Sequence, residues 1–371
     1  MKHTLITAPA LALALLAGVG GCMLEYDGAE SDALDPADLG EVHLALSNCV
    51  GVLCGTNTGK IYDKIMGWLS ETPGVAEVDG FSLRYLEKKS GGLSQTYNLR
   101  VAEGRLQGFQ DGVLMLDNEQ LEGAFFTLER NGDFYNVFID DVMDITTPDG
   151  VKVPAYKLRY KLDAPALPDG RPVTEELLCP NWKYAEVDEL VGPGEGAYSI
   201  IIHGERYPND GLDAADIMTG TNADGWFHFA CASTALFKMV MVGHDPKVTD
   251  PLAPGYSTTA QRLATLRMFI ADYCGTGRTF TVTGEPLIWG GPADPEKFFF
   301  GLNPKLRETI WTPDGAHCLD VARYADKDPW IYFGIFAECG ALPPACSADP
   351  GAGVFAAWPA DAVWATYSPS P

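Results

Sequence analysis

The stretch Phe126-Thr-Leu-Glu-Arg130, Asn131-Gly132, Asp133-Phe-Tyr-Asn-Val-Phe-Ile139 carries the clearest fold signal in the chain. Two runs rich in aromatic and β-branched residues flank a two-residue turn of Asn and Gly. Both turn residues tolerate the positive φ angles that a tight hairpin requires. The stretch therefore predicts two antiparallel strands joined at Asn131-Gly132.

Short runs of the same kind continue on both sides of this hairpin, from about Phe81 to Leu162. The dipeptides that separate them are Gly91-Gly92, Asp111-Gly112, Asn131-Gly132 and Asp149-Gly150. No repeat of about 20–50 residues is evident, which argues against a solenoid or a propeller. We therefore predict an antiparallel β-rich domain over residues 46–164, built as a sheet or a small barrel.

A segment rich in Pro and Asp, from Ala164 to Pro172, predicts a boundary, and a second domain is expected over residues 165–350. This region contains two helical patterns. The first is apolar on nearly every face and predicts a buried helix that includes Ala232, Ala235, Leu236, Met239 and Val240. The second runs from about Thr258 to Tyr273. Its predicted outer face consists of Gln261, Arg262 and Thr265, and Gly275 is predicted to terminate it.

Together these patterns predict an α+β fold. An antiparallel β-rich N-terminal domain is followed by a disulfide-linked α+β domain with two helices, and residues 351–371 are expected to form a C-terminal tail. The chain of 371 residues is 46% hydrophobic, which is enough to bury a sizeable core and excludes a disordered tail or a coiled coil. It also carries 50 Asp and Glu against 26 Lys and Arg. Because affinity for nucleic acid comes mainly from Lys and Arg, this acidic chain is not expected to bind it.

The first 21 residues have the pattern of an export signal: one positive residue, Lys2, then the apolar run Ala8–Ala17, then small residues before Cys22. The end of this segment, Val19-Gly20-Gly21-Cys22, resembles a bacterial lipobox, in which the chain is cleaved before the cysteine and the thiol is acylated. Residues 1–21 are therefore predicted to be a signal peptide, and Cys22 the lipid anchor of an exported outer-membrane lipoprotein. The alternative is ordinary signal cleavage nearby, with Cys22 unmodified.

Residues 22–45 are predicted to be an acidic tether. Seven acidic residues and no Lys or Arg lie between Met23 and Glu41. A stretch of this composition repels itself and buries little, so an extended spacer is expected. A calcium site is the alternative, but the ligand spacing of a calcium loop is absent.

The chain has nine cysteines, which is an odd number for an exported protein. Acylation of Cys22 leaves eight, which are predicted to form four disulfides: Cys49, Cys54, Cys179, Cys231, Cys274, Cys318, Cys339 and Cys346. Local spacing favours the pairs Cys49–Cys54 and Cys339–Cys346, and the other four then pair among themselves. No C-x2-C pair occurs, so neither a metal nor another cofactor is expected.

The segment Met268-Phe-Ile-Ala-Asp-Tyr-Cys-Gly-Thr-Gly-Arg-Thr-Phe-Thr281 resembles the bacterial ADYC-domain family, named after the tetrapeptide Ala271-Asp272-Tyr273-Cys274. Four supporting pieces stand in the same order: Leu177-Leu-Cys179, Trp226-Phe-His-Phe-Ala-Cys231, Trp311-Thr-Pro-Asp-Gly-Ala-His-Cys318, and Glu338-Cys339 through Leu342-Pro-Pro-Ala-Cys346. The likeness spans roughly residues 165–347. The family has no assigned activity, so the resemblance implies a cysteine-rich exported domain and no particular catalysis.

Asp272 falls in the last turn of the second predicted helix, where the helix macrodipole disfavours a negative charge. A compensating partner is therefore needed. We expect the backbone N–H groups of the Gly275–Arg278 turn and the Arg278 guanidinium to supply it. Asp272 would then fix the corner between the helix and the segment that follows.

Cys231 opens an apolar helix, which is a position where backbone amides can stabilise a thiolate. The candidate bases are His203, His228, His244 and His317, and Asp320 is placed to orient His317. The even cysteine count favours a disulfide at Cys231 instead. Four tryptophans can line a glycan or peptide groove or, as is more common, pack in the core: Trp226, Trp289, Trp311 and Trp330.

The sequence therefore favours a lipid-anchored cell-envelope protein that acts as a non-enzymatic binding or structural module, with a protein or glycan as its unidentified partner. The alternative is a hydrolase or acyltransferase with Cys231 as nucleophile, assisted by His317 and Asp320.

Overall fold

A computed structural model describes residues 58, 60–61, 66–77, 80–147, 150–164, 172–179, 198–208, 212, 217–232, 234–282, 287–291, 305–346 and 358–369. The predicted signal peptide and acidic tether lie outside these residues, as do Cys22, Cys49 and Cys54. Val42–Pro371 form one compact unit.

The described residues form seventeen strands and three α-helices. The strands are β1 (Leu69–Ser70), β2 (Ser82–Ser90), β3 (Leu93–Ala102), β4 (Arg105–Gln110), β5 (Val113–Asp117), β6 (Ala124–Arg130), β7 (Asp133–Thr146), β8 (Lys152–Leu162), β9 (Glu176–Leu177), β10 (Ser199–His203), β11 (Glu205–Arg206), β12 (Met218–Thr219), β13 (Trp226–Cys231), β14 (Ile288–Gly290), β15 (Lys305–Thr312), β16 (Gly315–Ala316) and β17 (Trp364–Pro369). The helices are α1 (Ala235–Met241), α2 (Thr259–Ile270) and α3 (Ile331–Cys339).

The hairpin predicted at Asn131-Gly132 is confirmed. β6 and β7 pair antiparallel up to Arg130 opposite Asp133. The two turn residues adopt φ angles of 54° and 88°, respectively. These are the positive values that let a two-residue turn match the twist of its strands.

The main sheet has 11 strands in the order β1-β13-β10-β8-β7-β6-β2-β3-β4-β5, with β9 beside β8. Every pairing in it is antiparallel. β10 joins the two regions that were predicted as separate domains, because Ser199 pairs with Tyr156 of β8 and with Cys231 of β13. Residues on both sides of position 164 therefore share one sheet.

The main sheet curls around its core. Phe126 of β6 stacks on Phe229 of β13 with ring centroids 5.7 Å apart. Three strands separate β6 from β13 in the sheet order, and neighbouring strands lie about 4.8 Å apart, so these rings would not meet across a flat sheet. Tyr156 of β8 likewise reaches the opposite part of the sheet, where its hydroxyl accepts a hydrogen bond from the Leu106 amide of β4 at 2.8 Å.

The two predicted helices are present. All seven residues of α1 are buried, and the Thr234 hydroxyl caps its first turn. α2 begins with a capping box between Thr258 and Gln261. It ends at Ala271, which adopts the left-handed conformation with φ 52°, so the prediction of Gly275 as terminator was wrong. Arg262 and Thr265, predicted on the outer face of α2, are buried.

A third helix, α3, was not predicted. Its sequence, Ile-Tyr-Phe-Gly-Ile-Phe-Ala-Glu-Cys, has apolar residues on every face, so it lacks the one-sided pattern that marks a surface helix. A second sheet has the order β14-β17-β15-β16. β17 lies within the predicted tail and is a central strand of this sheet. No helix in the described part of the chain has the length and apolar character needed to cross a membrane.

Candidate functional site

The tetrapeptide Ala271-Asp272-Tyr273-Cys274 lies at the C-terminal end of α2. We call residues 271–277 the corner. Ala271 ends the helix in the left-handed conformation, and the first three residues of the tetrapeptide are buried. Three elements contact the tetrapeptide: β15 and β16 both contact Tyr273, and α3 is bonded to Cys274.

Asp272 binds the backbone of its own turn. Its carboxylate accepts hydrogen bonds from the amides of Thr276 at 3.1 Å and Gly277 at 2.7 Å. The Nε atom of Arg267 lies 3.5 Å from the same carboxylate. Burial raises the pKa of Asp272, and these amides and Arg267 oppose the increase.

The expected backbone contacts of Asp272 are therefore present, but the guanidinium beside it belongs to Arg267 and not, as expected, to Arg278. Arg278 points to Glu338 of α3, with which it forms an ion pair at 2.7 Å. Arg267 stands one turn earlier in α2. Its guanidinium also donates to the carbonyls of Leu212 at 2.7 Å and Gly275 at 2.9 Å.

Tyr273 connects the corner to a buried ion pair. Its hydroxyl donates to Glu308 of β15 at 2.8 Å and accepts from the backbone amide of Arg323 at 2.7 Å. Its ring stacks on Trp311 with centroids 5.4 Å apart. Burial, with the nearby Glu308 carboxylate, raises the pKa of Tyr273 well above its usual value, so the hydroxyl remains protonated and acts as a fixed donor.

Glu308 and Arg323 form the ion pair itself, and both are buried. The Arg323 Nε lies 3.1 and 3.2 Å from the two carboxylate oxygens, and Nη2 lies 3.0 Å from one of them. Nη1 donates to the Met268 carbonyl of α2 at 2.8 Å. This pair therefore ties β15 and the segment after it to the end of α2.

A comparison with protein families matches the ADYC domain to residues 118–325, more than half of the chain. The chain belongs to the ADYC-domain family. No curated protein and no solved structure matches it significantly. The matched ADYC domain begins before β6, earlier than the expected residue 165, and it contains the corner together with Glu308 and Arg323. The helix α3 follows the matched part.

The described residues contain three disulfides, of which one lies within the ADYC domain and two join it to the residues that follow. They join Cys179 to Cys231, Cys274 to Cys339, and Cys318 to Cys346, with Cα atoms 5.4, 5.0 and 4.9 Å apart. The predicted local pair Cys339–Cys346 was wrong. The unpredicted helix α3 places Cys339 at the corner, and the segment after it runs beside residues 318–320, where the Leu319 amide donates to the Pro344 carbonyl.

A second buried polar cluster, which was not predicted, lies near the N-terminal end of α2. Arg262 donates through Nε to Glu205 of β11 at 2.8 Å, and Tyr207 donates to the same carboxylate at 2.7 Å. Ser257 and Thr259 supply further hydrogen bonds to the guanidinium. Glu205 and Arg262 are 57 residues apart in the sequence, so they meet only in the folded protein.

The alternative catalytic residues are not brought together. Cys231 is bonded to Cys179 and buried. His317 is exposed. The Asp320 carboxylate accepts from the Cys346 amide at 2.8 Å and pairs with Arg307 at 2.7 Å. No hydrogen bond in the described residues joins it to His317, so the proposed orienting contact is absent there.

The other three candidate bases make structural contacts. His203 accepts from the Gly104 amide at 2.8 Å, and His228 contacts the Gly67 carbonyl at 2.7 Å. His244 contacts the Thr265 hydroxyl at 2.7 Å, and burial lowers its pKa to about 4.

The four candidate tryptophans do not share one groove. Trp289 and Trp311 are buried, and Trp226 is half-buried beneath Arg206, whose guanidinium lies 4.0 Å from the ring centroid. Trp330, at the start of α3, is 75% exposed. Within the described ranges, no group of three or more His, Cys, Asp or Glu side chains is arranged to hold a metal ion.

Proposed function

We propose that the protein is an exported cell-envelope lipoprotein, anchored by a lipid at Cys22, in which the ADYC domain acts as a non-enzymatic binding or structural module. The observation that supports this most directly is the use of the tetrapeptide. Its polar and reactive groups all bind other parts of the protein. Asp272 accepts hydrogen bonds from its own turn, Tyr273 binds a buried ion pair, and Cys274 forms a disulfide.

The disulfides support an oxidising compartment for the folded chain. Such bonds persist mainly in the cell envelope and outside the cell, because cytosolic thiols are kept reduced. The three described disulfides join cysteines that are 28, 52 and 65 positions apart in the sequence. Together with the signal-like residues 1–21 and the lipobox-like end at Cys22, they favour export followed by acylation.

The charged groups at the corner favour a structural over a catalytic role. A general acid or base must reach a substrate proton, yet Asp272, Glu308 and Arg323 are buried. Asp272 binds its own turn and Arg267, and Glu308 and Arg323 bind each other. The described surface feature best suited to binding is instead the exposed apolar side of α3, beside the corner.

Lipidation is tested by expressing the full chain in a Gram-negative host fed with a clickable fatty acid. The wild type is expected to be labelled and to fractionate with the envelope membranes. Cys22→Ala should remove the label while leaving the protein folded. An unlabelled wild type, or equal labelling of both, contradicts the anchor.

The alternative function, with Cys231 as nucleophile, is tested by thiol counting. We expect the exported chain, denatured without reduction, to bind no maleimide. Intact mass after reduction and alkylation then gives the number of bridged cysteines. One reactive thiol that disappears in Cys231→Ser would favour the cysteine-nucleophile enzyme and contradict the structural role of this residue.

A further inference from the structure

The helix α3 exposes an apolar surface. Its solvent-facing side chains, together with one from the segment that follows, form what we call the aromatic face: Trp330, Phe333, Phe336 and Leu342, which are 75%, 69%, 51% and 45% exposed. An exposed apolar patch of a few hundred Å² on a soluble protein often has a binding role.

The aromatic face is held rigidly. On the opposite side of the helix, Ile331 and Ile335 are buried in the core. The disulfide from Cys339 to Cys274 ties the helix end to the corner, and the Arg278–Glu338 ion pair lies beside it. The tetrapeptide cysteine therefore fixes the orientation of the aromatic face relative to the rest of the fold.

We propose that the aromatic face rests in the interfacial layer of a phospholipid bilayer and sets the orientation of the tethered domain on the membrane. This inference rests on the proposed lipid anchor at Cys22. Tryptophan favours the boundary between headgroups and acyl chains, and phenylalanine and leucine are common on the apolar face of helices that lie in this layer. A lipid anchor that holds the domain near the bilayer then adds to the affinity of this contact.

The size of the face favours a bilayer over a second copy of the chain. An aromatic side chain buries about 150–250 Å² when fully covered, so the exposed fractions correspond to about 400–500 Å². A stable protein interface needs about 800 Å² on each partner. The face alone is therefore too small to hold a dimer, whereas shallow insertion into lipid requires no complementary surface.

The position of Thr58, the first described residue, agrees with this orientation. Between Cys22 and Thr58 the chain advances 36 positions, 58 − 22. The Thr58 amide donates to the Phe269 carbonyl at 3.0 Å, in the last turn of α2. The chain from the anchor thus enters the described fold at the helix end that also carries Cys274 and, through it, α3. Fully extended, 36 residues span at most about 120–130 Å, so the chain between Cys22 and Thr58 is long enough to let the aromatic face reach the bilayer.

Charge predicts which lipids the face prefers. Removal of residues 1–21 takes away Lys2, so the mature chain carries −24 − 1 = −25. Anionic headgroups should repel a chain of this charge, in contrast to the basic segments that bind acidic lipids. We therefore expect binding to zwitterionic vesicles and weaker binding once anionic lipid is added.

The experiment uses the mature chain with Cys22→Ser, so that the face is tested without a lipid anchor. Flotation with phosphatidylcholine vesicles should recover the protein, and Phe333→Ser/Phe336→Ser should lower the apparent affinity at least tenfold. Val113→Ser/Leu114→Ser is the matched control, because it removes two exposed apolar side chains from β5 and should leave binding unchanged. Equal thermal unfolding midpoints show that both variants fold.

Brominated lipids locate the contact. They should quench a tryptophan signal that Trp330→Phe removes while flotation persists. The proposal is overturned if the Cys22→Ser chain does not float, or if the Phe333→Ser/Phe336→Ser chain floats as well as its parent. A dimer in light scattering that this double variant dissociates would assign the face to a second copy and also overturn it. Fatty-acid labelling of Cys22 reports separately on the anchor.

Discussion

The end of the main sheet formed by β6 and β2 to β5, which we call the hairpin end, and the corner at the end of α2 are stabilised in different ways. At the hairpin end, the consecutive strands β2 to β5 pair with one another, and ion pairs such as Arg84–Glu129, between β2 and β6, lie near the surface. At the corner, buried side chains and a disulfide connect the end of α2 to β15 and α3. The Tyr273 hydroxyl, for example, donates to the buried Glu308 carboxylate.

The same kind of ion pair occurs in both regions, exposed in one and buried in the other. Arg84–Glu129 and Arg323–Glu308 are both arginine–glutamate pairs, but solvent reaches the first, whereas the second is buried. Water screens an exposed pair and can replace either partner, whereas a buried charge that loses its partner has no substitute. The corner should therefore be far more sensitive to single substitutions than the hairpin end.

The largest effect is expected from Glu308→Gln. It leaves Arg323 as an uncompensated buried charge and weakens the acceptor of the Tyr273 hydroxyl, at a cost of about 3–5 kcal/mol in the free energy of unfolding. Glu129→Gln, the matched change at the hairpin end, should cost about 0–1 kcal/mol. Chemical denaturation of both variants measures the two values. Equal losses would show that burial does not distinguish the two regions.

The next largest effect should come from Cys179→Ser/Cys231→Ser. This disulfide closes a loop between residues 52 positions apart, and its removal lets the unfolded chain expand, which lowers the free energy of unfolding by roughly 2–4 kcal/mol. Both cysteines change together so that no free thiol remains. The measurement is thermal unfolding under non-reducing conditions. An unchanged midpoint would mean that the sheet around β13 and β10 holds this region without the covalent link.

Asp272→Ala should have a smaller effect, about 1–3 kcal/mol, because it leaves the turn amides of Thr276 and Gly277 without their acceptor. The loss should also depend on pH. Burial raises the folded-state pKa of Asp272 above 3.8, so its stabilising contribution is full below that value and declines as pH rises through the folded pKa. The difference in unfolding free energy between wild type and Asp272→Ala should therefore be larger at acidic than at neutral pH. A difference that grows with rising pH would contradict this assignment.

The sequence predicted the local parts of the fold well. The hairpin at Asn131-Gly132 and the helices α1 and α2 follow from residues close together in the chain. The backbone partners of Asp272 were also predictable, because they lie within five residues of it.

The parts that the sequence did not predict depend on distant residues. Arg262 was placed on an exposed face because it is charged, yet Glu205, from another part of the chain, compensates it inside the protein. The partners of Cys339 and Cys346 were missed for the same reason, since α3 carries them to different places. The continuity of one sheet across residue 164 likewise comes from the pairing of β10 with β8, which no local pattern reveals.

The smallest effects are expected from the same substitution, Gly→Ala, at one position in the β6–β7 turn and one in the helix α3. Gly132 has φ 88° and open space where a Cβ would lie, so the only cost of Gly132→Ala is backbone strain, about 1 kcal/mol.

Gly334 in α3 supplies the matched control. Its φ is not positive, and an added Cβ would make an ordinary contact with Phe280 at 3.7 Å. Because alanine favours a helix over glycine by about 0.5–1 kcal/mol, Gly334→Ala should stabilise the protein by up to that amount. Denaturant midpoints that move in opposite directions would show that the hairpin requires glycine and α3 does not. If both variants lose stability equally, α3 is more tightly packed around Gly334 than the Cβ distance indicates.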